Sequence, residues 1–360
     1  GGSMLSFEDI PVYPSDDQWG NLLLSSYADS FQADLVIALM DAWVLRPDVF
    51  RDVPFAVWTP VDHQPCPPRV AEFFRQSGAR TIAMSRFGEQ MLRDEGLDPL
   101  YVPHGIDTNV FQPGNRDLIR EAAGLNDSFL VGIVANNSGG MPPASGPPRK
   151  AFPQSIMAFS AFYRKHPDAK LYLHTELSGR QHPGNIKPGL NMARLLDRFE
   201  VPLEAVKTTD QLSMELGIDS AAMADLYSSF DVLLNPSYGE GFGIPIVEAQ
   251  ACGTPVIVTD WTSMPELCGA GWKVDGEPWY DPQHEAFFMC PSVGCILEAL
   301  EDAYENAAGM RDQAREFALA YDADLVTETY WKPALEALGR PREVGPLPNR
   351  AMRRAKKVAA

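Results

Sequence analysis

Two glutamates and three glycines crowd the stretch N-P-S-Y-G-E-G-F-G-I-P-I-V-E, which runs from Asn235 to Glu248. Glycines at 239, 241 and 243 carry no side chain, so a ligand can approach the backbone closely there. The run that starts at Ile244 reads as a helix whose first N–H groups are free to meet an anion. Glu240 precedes that helix and Glu248 stands on it, eight positions later. A carboxylate accepts hydrogen bonds from two neighbouring hydroxyls at once. Acids beside an anion-binding turn suit a ligand that is both polyhydroxylated and phosphorylated. Taken singly, the same glutamates would serve equally well as a charge at a helix N-terminus and a solvated helix face.

The elements that would position these residues are legible around them. A buried strand is predicted over 231–235, the glycine-rich turn over 238–243, a helix over 244–252 and a second strand over 255–259. Ligands of α/β proteins bind at the C-terminal ends of strands, which is where this turn falls. Upstream, strands are predicted at 33–40, 55–58, 81–84 and 99–102, the first of them an apolar run that reads as a buried parallel strand. Helices at 69–77 and 85–95 alternate with them, the second capped by Ser85. A short strand at 10–13 and a helix at 21–31 come first, and a proline-rich loop fills 59–68. The polar segment 112–126 separates this half from one that restarts with a strand at 129–134.

A Gly/Pro-rich loop over 136–148 is long for a strand-to-helix link, which marks it as functional or mobile. Helices at 151–166, 190–199 and 221–229, a strand at 170–174 and a polar loop at 178–189 follow. Helices at 292–308 and 310–320 close the second half, and an amphipathic segment at 322–338 carries Tyr330 and Trp331. Strand and helix alternate throughout, which predicts the α/β class with parallel sheets and helices on both faces.

The chain has 360 residues, 45% of them apolar, enough for two domains with cores of their own. Its net charge of −18 excludes a general nucleic-acid-binding surface. The segment 341–360 is the exception, with six Lys or Arg against one acid. Such an end reads as a solvated, disordered tail, or as a contact for an acidic partner or an anionic membrane surface. Five scattered cysteines without a C-x-x-C pair point to a reduced, cytoplasmic protein. No apolar run reaches the ~18 residues of a membrane span.

The E-G-F-G-I-P-I-V-E run resembles the E-x7-E signature of family 4 glycosyltransferases, retaining enzymes of the GT-B fold. More of the chain is similar to that family. Ser85 to Gly88 and Val102 to Asp107 resemble its closing N-domain segments. Asp225 to Ser237 resembles its run into the signature, and Gly253 to Ile257 with Pro265-Glu266 its continuation. The resemblance implies two Rossmann-like domains with parallel sheets facing a cleft. An N-terminal, acceptor-side domain would occupy 4–117 and a nucleotide-sugar domain 118–321. A helix at 322–338 would cross back to the first domain, and a basic tail would occupy 339–360.

Residue roles follow from the resemblance. Glu248 would hold the donor's ribose hydroxyls and Glu240 those of the transferred sugar. Gly241, Phe242 and Gly243 would offer backbone N–H groups. Lys150, with Arg149 beside it, would stabilise the departing diphosphate. Asn136 falls where the family carries an arginine, His174 ends a strand on the nucleotide side, and His63 falls where the family has a histidine facing the sugar. Arg149 and Lys150 would otherwise be a solvated helix start, and His63 a satisfied loop histidine. His104 would sit in the hinge. Neither cofactor nor metal is implied, since no D-x-D ends a strand and Asp322-Ala-Asp324 opens a helix instead.

The implied activity is transfer of a hexose from a UDP- or GDP-linked sugar to a hydroxyl acceptor. The family's first strand, glycine-rich turn and helix have no counterpart ahead of 33, so the N-terminal domain is expected to lack its first elements. That leaves an alternative, a nucleotide-sugar-binding or regulatory protein without turnover. It also leaves an exposed sheet edge through which two copies could pair.

Overall fold

The computed structural model describes residues 5–7, 10–15, 17, 19–49, 54–139, 147–179 and 189–339. Most of the long loop at 136–148, most of the polar loop at 178–189 and the basic tail lie outside the described residues. A short antiparallel hairpin, β1 (Leu5–Phe7) with β2 (Ile10–Val12), comes first. Then β3 (Val36–Leu39), β4 (Phe55–Thr59), β5 (Arg80–Ala83) and β6 (Leu100–Tyr101) form a parallel four-stranded sheet in chain order. The second sheet uses β7 (Phe129–Val134), β8 (Ala169–His174), β9 (Val206–Thr208), β10 (Val232–Asn235), β11 (Val256–Thr259) and β12 (Gly271–Val274). Its order is β12-β11-β10-β7-β8-β9, all parallel. An antiparallel hairpin, β13 (Gly276–Asp281) with β14 (Ala286–Pro291), stands apart from both sheets.

The second sheet is buried on both faces, as its apolar runs require. Every residue of β7, β10 and β11 is buried. One face packs on Phe152, Ile156, Phe159 and Leu300, the other on Tyr227, Phe230, Ile246 and Val247. In the first sheet, Val70, Phe73 and Phe74 of the helix Pro68–Ser77 cover one face. The other face is covered from the far end of the chain, where Val326, Ala334 and Leu338 pack with Ala56, Ile82 and Val102. The chain crosses back beside Ile106, whose N–H donates to the Tyr321 carbonyl and whose carbonyl accepts from the Ala323 N–H.

Three sequence expectations change. The run 33–40 is not a buried strand: Leu39 is 53% exposed and Ile37 36%, because β3 is the sheet edge. The polar segment 112–126 contains the helix Arg116–Ala123, capped by the Asn115 side chain, which accepts from the Leu118 N–H. The β13–β14 hairpin has no counterpart in the elements read from sequence. Among the described residues no helix is long and apolar enough to cross a membrane.

Candidate active site

The glycine-rich turn leaves the C-terminal end of β10, and Gly243 starts the helix Ile244–Ala251 at φ +116°, a conformation that disfavours any side chain. The turn is fixed from the segment after β11. The Glu240 N–H donates to the Thr262 hydroxyl at 3.0 Å, and the Ser263 hydroxyl donates to the Glu240 carbonyl at 2.8 Å. Neither residue was singled out from the sequence, since both lie about twenty positions beyond the turn they hold.

Glu240 is buried, and its Oε1 accepts from Lys150 Nζ. Arg149 Nη1 lies 3.9 Å from Oε2 and donates to the Gly239 carbonyl at 3.0 Å. Burial alone would raise the Glu240 carboxyl, but the charges of Lys150 and Arg149 outweigh it and hold the group below its usual range. Burial pulls the Lys150 ammonium down in turn, against the Glu240 charge. The pair is therefore a buried anion and a half-buried cation, balanced chiefly against each other and Arg149. Such groups are poised to take a ligand's charges in place of their own.

Glu248 lies on the same helix, half-buried, with Tyr227 Oη donating to its Oε2 at 2.8 Å. Burial raises its carboxyl. His174 ends β8, where its Nδ1 lies 2.8 Å from the Thr209 hydroxyl and burial lowers its imidazole. Asn136 is exposed beyond β7. Its neighbour Asn137 ties the loops, donating from Nδ2 to the carbonyls of Glu176 and Leu190.

The loop after β4 closes onto the turn from the other domain. A Cβ at Gly239 would fall 2.2 Å from the Asp62 carbonyl oxygen, and one at Gly241 2.2 Å from Pro60. Asp62 Oδ2 accepts from Arg149 at 2.7 Å, an ion pair across the seam. Burial would raise Asp62, but the hydrogen bond from His63 and the Arg149 charge hold it well below the carboxylate range. His63 is 2% exposed, with Nδ1 2.7 Å from Asp62 Oδ1 and Nε2 3.3 Å from Asp281 Oδ2. Both ring nitrogens are thus engaged within the protein. Asp281 and His284, on the hairpin absent from the sequence reading, complete this cluster. Glu266 makes a second seam contact, accepting from the N–H groups of Arg86 and Phe87.

His104 packs between Trp58 and the turn, its ring 4.2 Å from that of Trp58 and 5.0 Å from that of Phe242. Burial pushes its imidazole from 6.5 down to about 4. Between those values the unfolded chain binds a proton that the folded chain refuses, so stability falls as pH drops through that window. A shift of this size corresponds to about 3 kcal/mol. Urea midpoints at pH 7.5 and 5 should therefore separate less for His104→Gln than for the native chain.

Residues 148–289 match a family model described as glycosyl transferases group 1. Over 247 residues the chain is 27% identical to D-inositol 3-phosphate glycosyltransferase 2 of Catenulispora acidiphila, covering 67% of this chain and 53% of that one. It spans about half the length of the curated relatives it matches. Among solved structures, sucrose-phosphate synthase of Thermosynechococcus elongatus superposes with a TM-score of 0.64 at 18% identity, over 88% of this chain and 77% of that one. HepE of Anabaena, solved with UDP and glucose, superposes with a TM-score of 0.62 at 18% identity, over 91% and 84%. The fold is therefore GT-B, two Rossmann-like domains with the glycine-rich turn at the cleft between them.

Proposed function

We propose that this protein is a retaining glycosyltransferase that moves a hexose from a nucleoside-diphosphate sugar, UDP- or GDP-linked, to a hydroxyl acceptor. The observation that carries the reading is the Lys150–Glu240 pair, its carboxylate buried and Arg149 beside it, at the N-terminus of the helix Ile244–Ala251. The donor's diphosphate takes Lys150, Arg149 and the N–H groups that open the helix Ile244–Ala251. Glu240, released from Lys150, accepts from the hydroxyls of the sugar. Glu248, oriented by Tyr227, accepts from the ribose hydroxyls. His174 and Asn136 border the nucleotide from the ends of β8 and β7.

In the reaction the bond from the sugar's anomeric carbon to the diphosphate oxygen breaks. The acceptor oxygen bonds to that carbon on the same face, and its proton passes to the departing phosphate. Lys150 and Arg149 stabilise the charge that develops there. No step is assigned to a metal or a cofactor. His63, whose ring nitrogens are both engaged, acts by positioning Asp62 and, through it, Arg149.

UDP is the first nucleotide to examine, since HepE shares the fold and is solved with it. A thermal-shift screen of UDP, GDP, ADP and dTDP tests the donor site. At 100 times its dissociation constant a bound nucleotide adds about 2.7 kcal/mol of apparent stability. One of the four should raise the melting midpoint of the native chain and fail to do so for Glu248→Ala. A flat response to all four would remove the donor-site reading.

A further inference from the structure

We propose that His63, Asp281 and His284 form a binding site for one divalent transition-metal ion, such as Zn²⁺, that staples the two domains together. Their ligand atoms all lie within 4.8 Å of one another. Asp281 Oδ2 is 2.6 Å from His284 Nδ1 and 3.3 Å from His63 Nε2, so the carboxylate oxygen stands between the two imidazole nitrogens. His63 and Asp281 are buried, at 2% and 4% exposure, and His284 is half-buried at the rim.

Neighbouring groups hold each of these ligand atoms in place. His63 is held between two carboxylates, with Nδ1 2.7 Å from Asp62 Oδ1 and Nε2 facing Asp281 Oδ2, and Asp62 is itself paired with Arg149. Asp62 stands to His63 as the carboxylate that fixes tautomer and ring orientation in metal-bound histidines. Asp281 is fixed similarly, its Oδ1 accepting from the Gln283 N–H at 2.9 Å. The His63 ring packs on Phe288 at 3.8 Å and on His284 at 4.7 Å, and Trp43 meets the His284 ring edge-on.

Two imidazoles and one carboxylate with no thiolate suit Zn²⁺, which commonly takes three protein ligands and leaves a fourth position to water. The ligands come from both domains. His63 lies on the loop after β4, and Asp281 and His284 lie on the β13–β14 hairpin. The backbones of Gln64 and Phe287 already exchange two hydrogen bonds next to the site, at 3.1 and 2.8 Å. An ion here would hold the loop against the hairpin and, through Asp62 and Arg149, set the closed position of the seam. The inference does not rest on the transferase reading, because it concerns binding alone.

Full-length protein, tag-free and stripped with a chelator, should take up one Zn²⁺ per chain by calorimetry and elemental analysis. Co²⁺ in its place should give the visible absorption of a four-coordinate site. His284→Ala and Asp281→Asn, checked as folded by circular dichroism, should bind at least about 100-fold more weakly. Asp62→Asn, which keeps all three ligands but weakens the contact to His63 and the ion pair with Arg149, should lose about 10–100-fold. Zn²⁺ should raise the melting midpoint of the native chain and not that of His284→Ala. If the native chain binds no Zn²⁺, the cluster is a hydrogen-bond network alone and the proposal is wrong. If His284→Ala binds Zn²⁺ as tightly as the native chain, the ion sits elsewhere and the proposal is equally overturned.

Discussion

Lys150→Ala is expected to slow sugar transfer by about 10²–10³-fold, the usual loss when one preorganised group is withdrawn from developing charge. Glu240→Gln is expected to lose a comparable factor, because an amide accepts more weakly from the sugar hydroxyls and no longer balances Lys150. The two should be far from additive, since each holds the other in the free protein through the Lys150 Nζ to Glu240 Oε1 contact. Stability separates this account from simple misfolding. Lys150→Met alone leaves the buried Glu240 with Arg149 at 3.9 Å as its nearest remaining positive charge among the described residues, and should cost up to about 3 kcal/mol. The double variant Lys150→Met, Glu240→Gln removes both charges and should recover most of that loss while remaining inactive. Urea unfolding and nucleoside-diphosphate release, measured on the same four proteins, check both halves. Activity that returned together with stability in the double variant would mean that the pair only holds the fold.

Asp231→Ala should produce the largest loss of stability, about 3–5 kcal/mol, the cost of leaving a buried charge without its partner. Asp231 stands at the head of β10 and gathers two arginines from the helix Arg116–Ala123. Its Oδ2 lies 3.0 Å from Arg120 Nη1 and accepts from the Leu130 N–H at 2.7 Å, while Oδ1 meets Arg116. Arg120 is 3% exposed and also donates to the Leu125 and Ser128 carbonyls. Removing the carboxylate leaves that guanidinium in the interior without a counter-ion. The denaturant midpoint should fall with an unchanged slope. Asp231→Asn, which still accepts from Leu130, should fall less.

That network shows why part of this protein could be read from its sequence and part could not. The glycine turn with Glu240 and Glu248 is local chemistry, and so is its placement between two apolar strands. The structure brings Lys150 to Glu240 across 90 positions, whereas the family resemblance assigns each to the donor and does not pair them. Nothing local announces the Asp231 network, because its arginines stand 115 and 111 residues upstream. Their helix is hard to read because four of its eight residues are charged, although Asn115 offers a cap. The β13–β14 hairpin was missed for a different reason. Pro278 and Pro282 interrupt the alternation that marks a strand, so Asp281 and His284 carried no signal until the fold placed them against His63, about 220 residues away. The strand at 33–40 was misjudged because an edge strand and a central one can share an apolar composition. Only neighbours distinguish them, and β3 has a single one.

The most direct test of the central claim is nucleoside-diphosphate release from UDP-glucose and GDP-mannose by the native chain, with and without a panel of hydroxyl acceptors. Release from one donor that rises severalfold with one acceptor, and is lost in Lys150→Ala, is the result expected of a glycosyltransferase. Tight binding of a nucleotide-sugar with no release under any acceptor would contradict it and leave a binding protein without turnover.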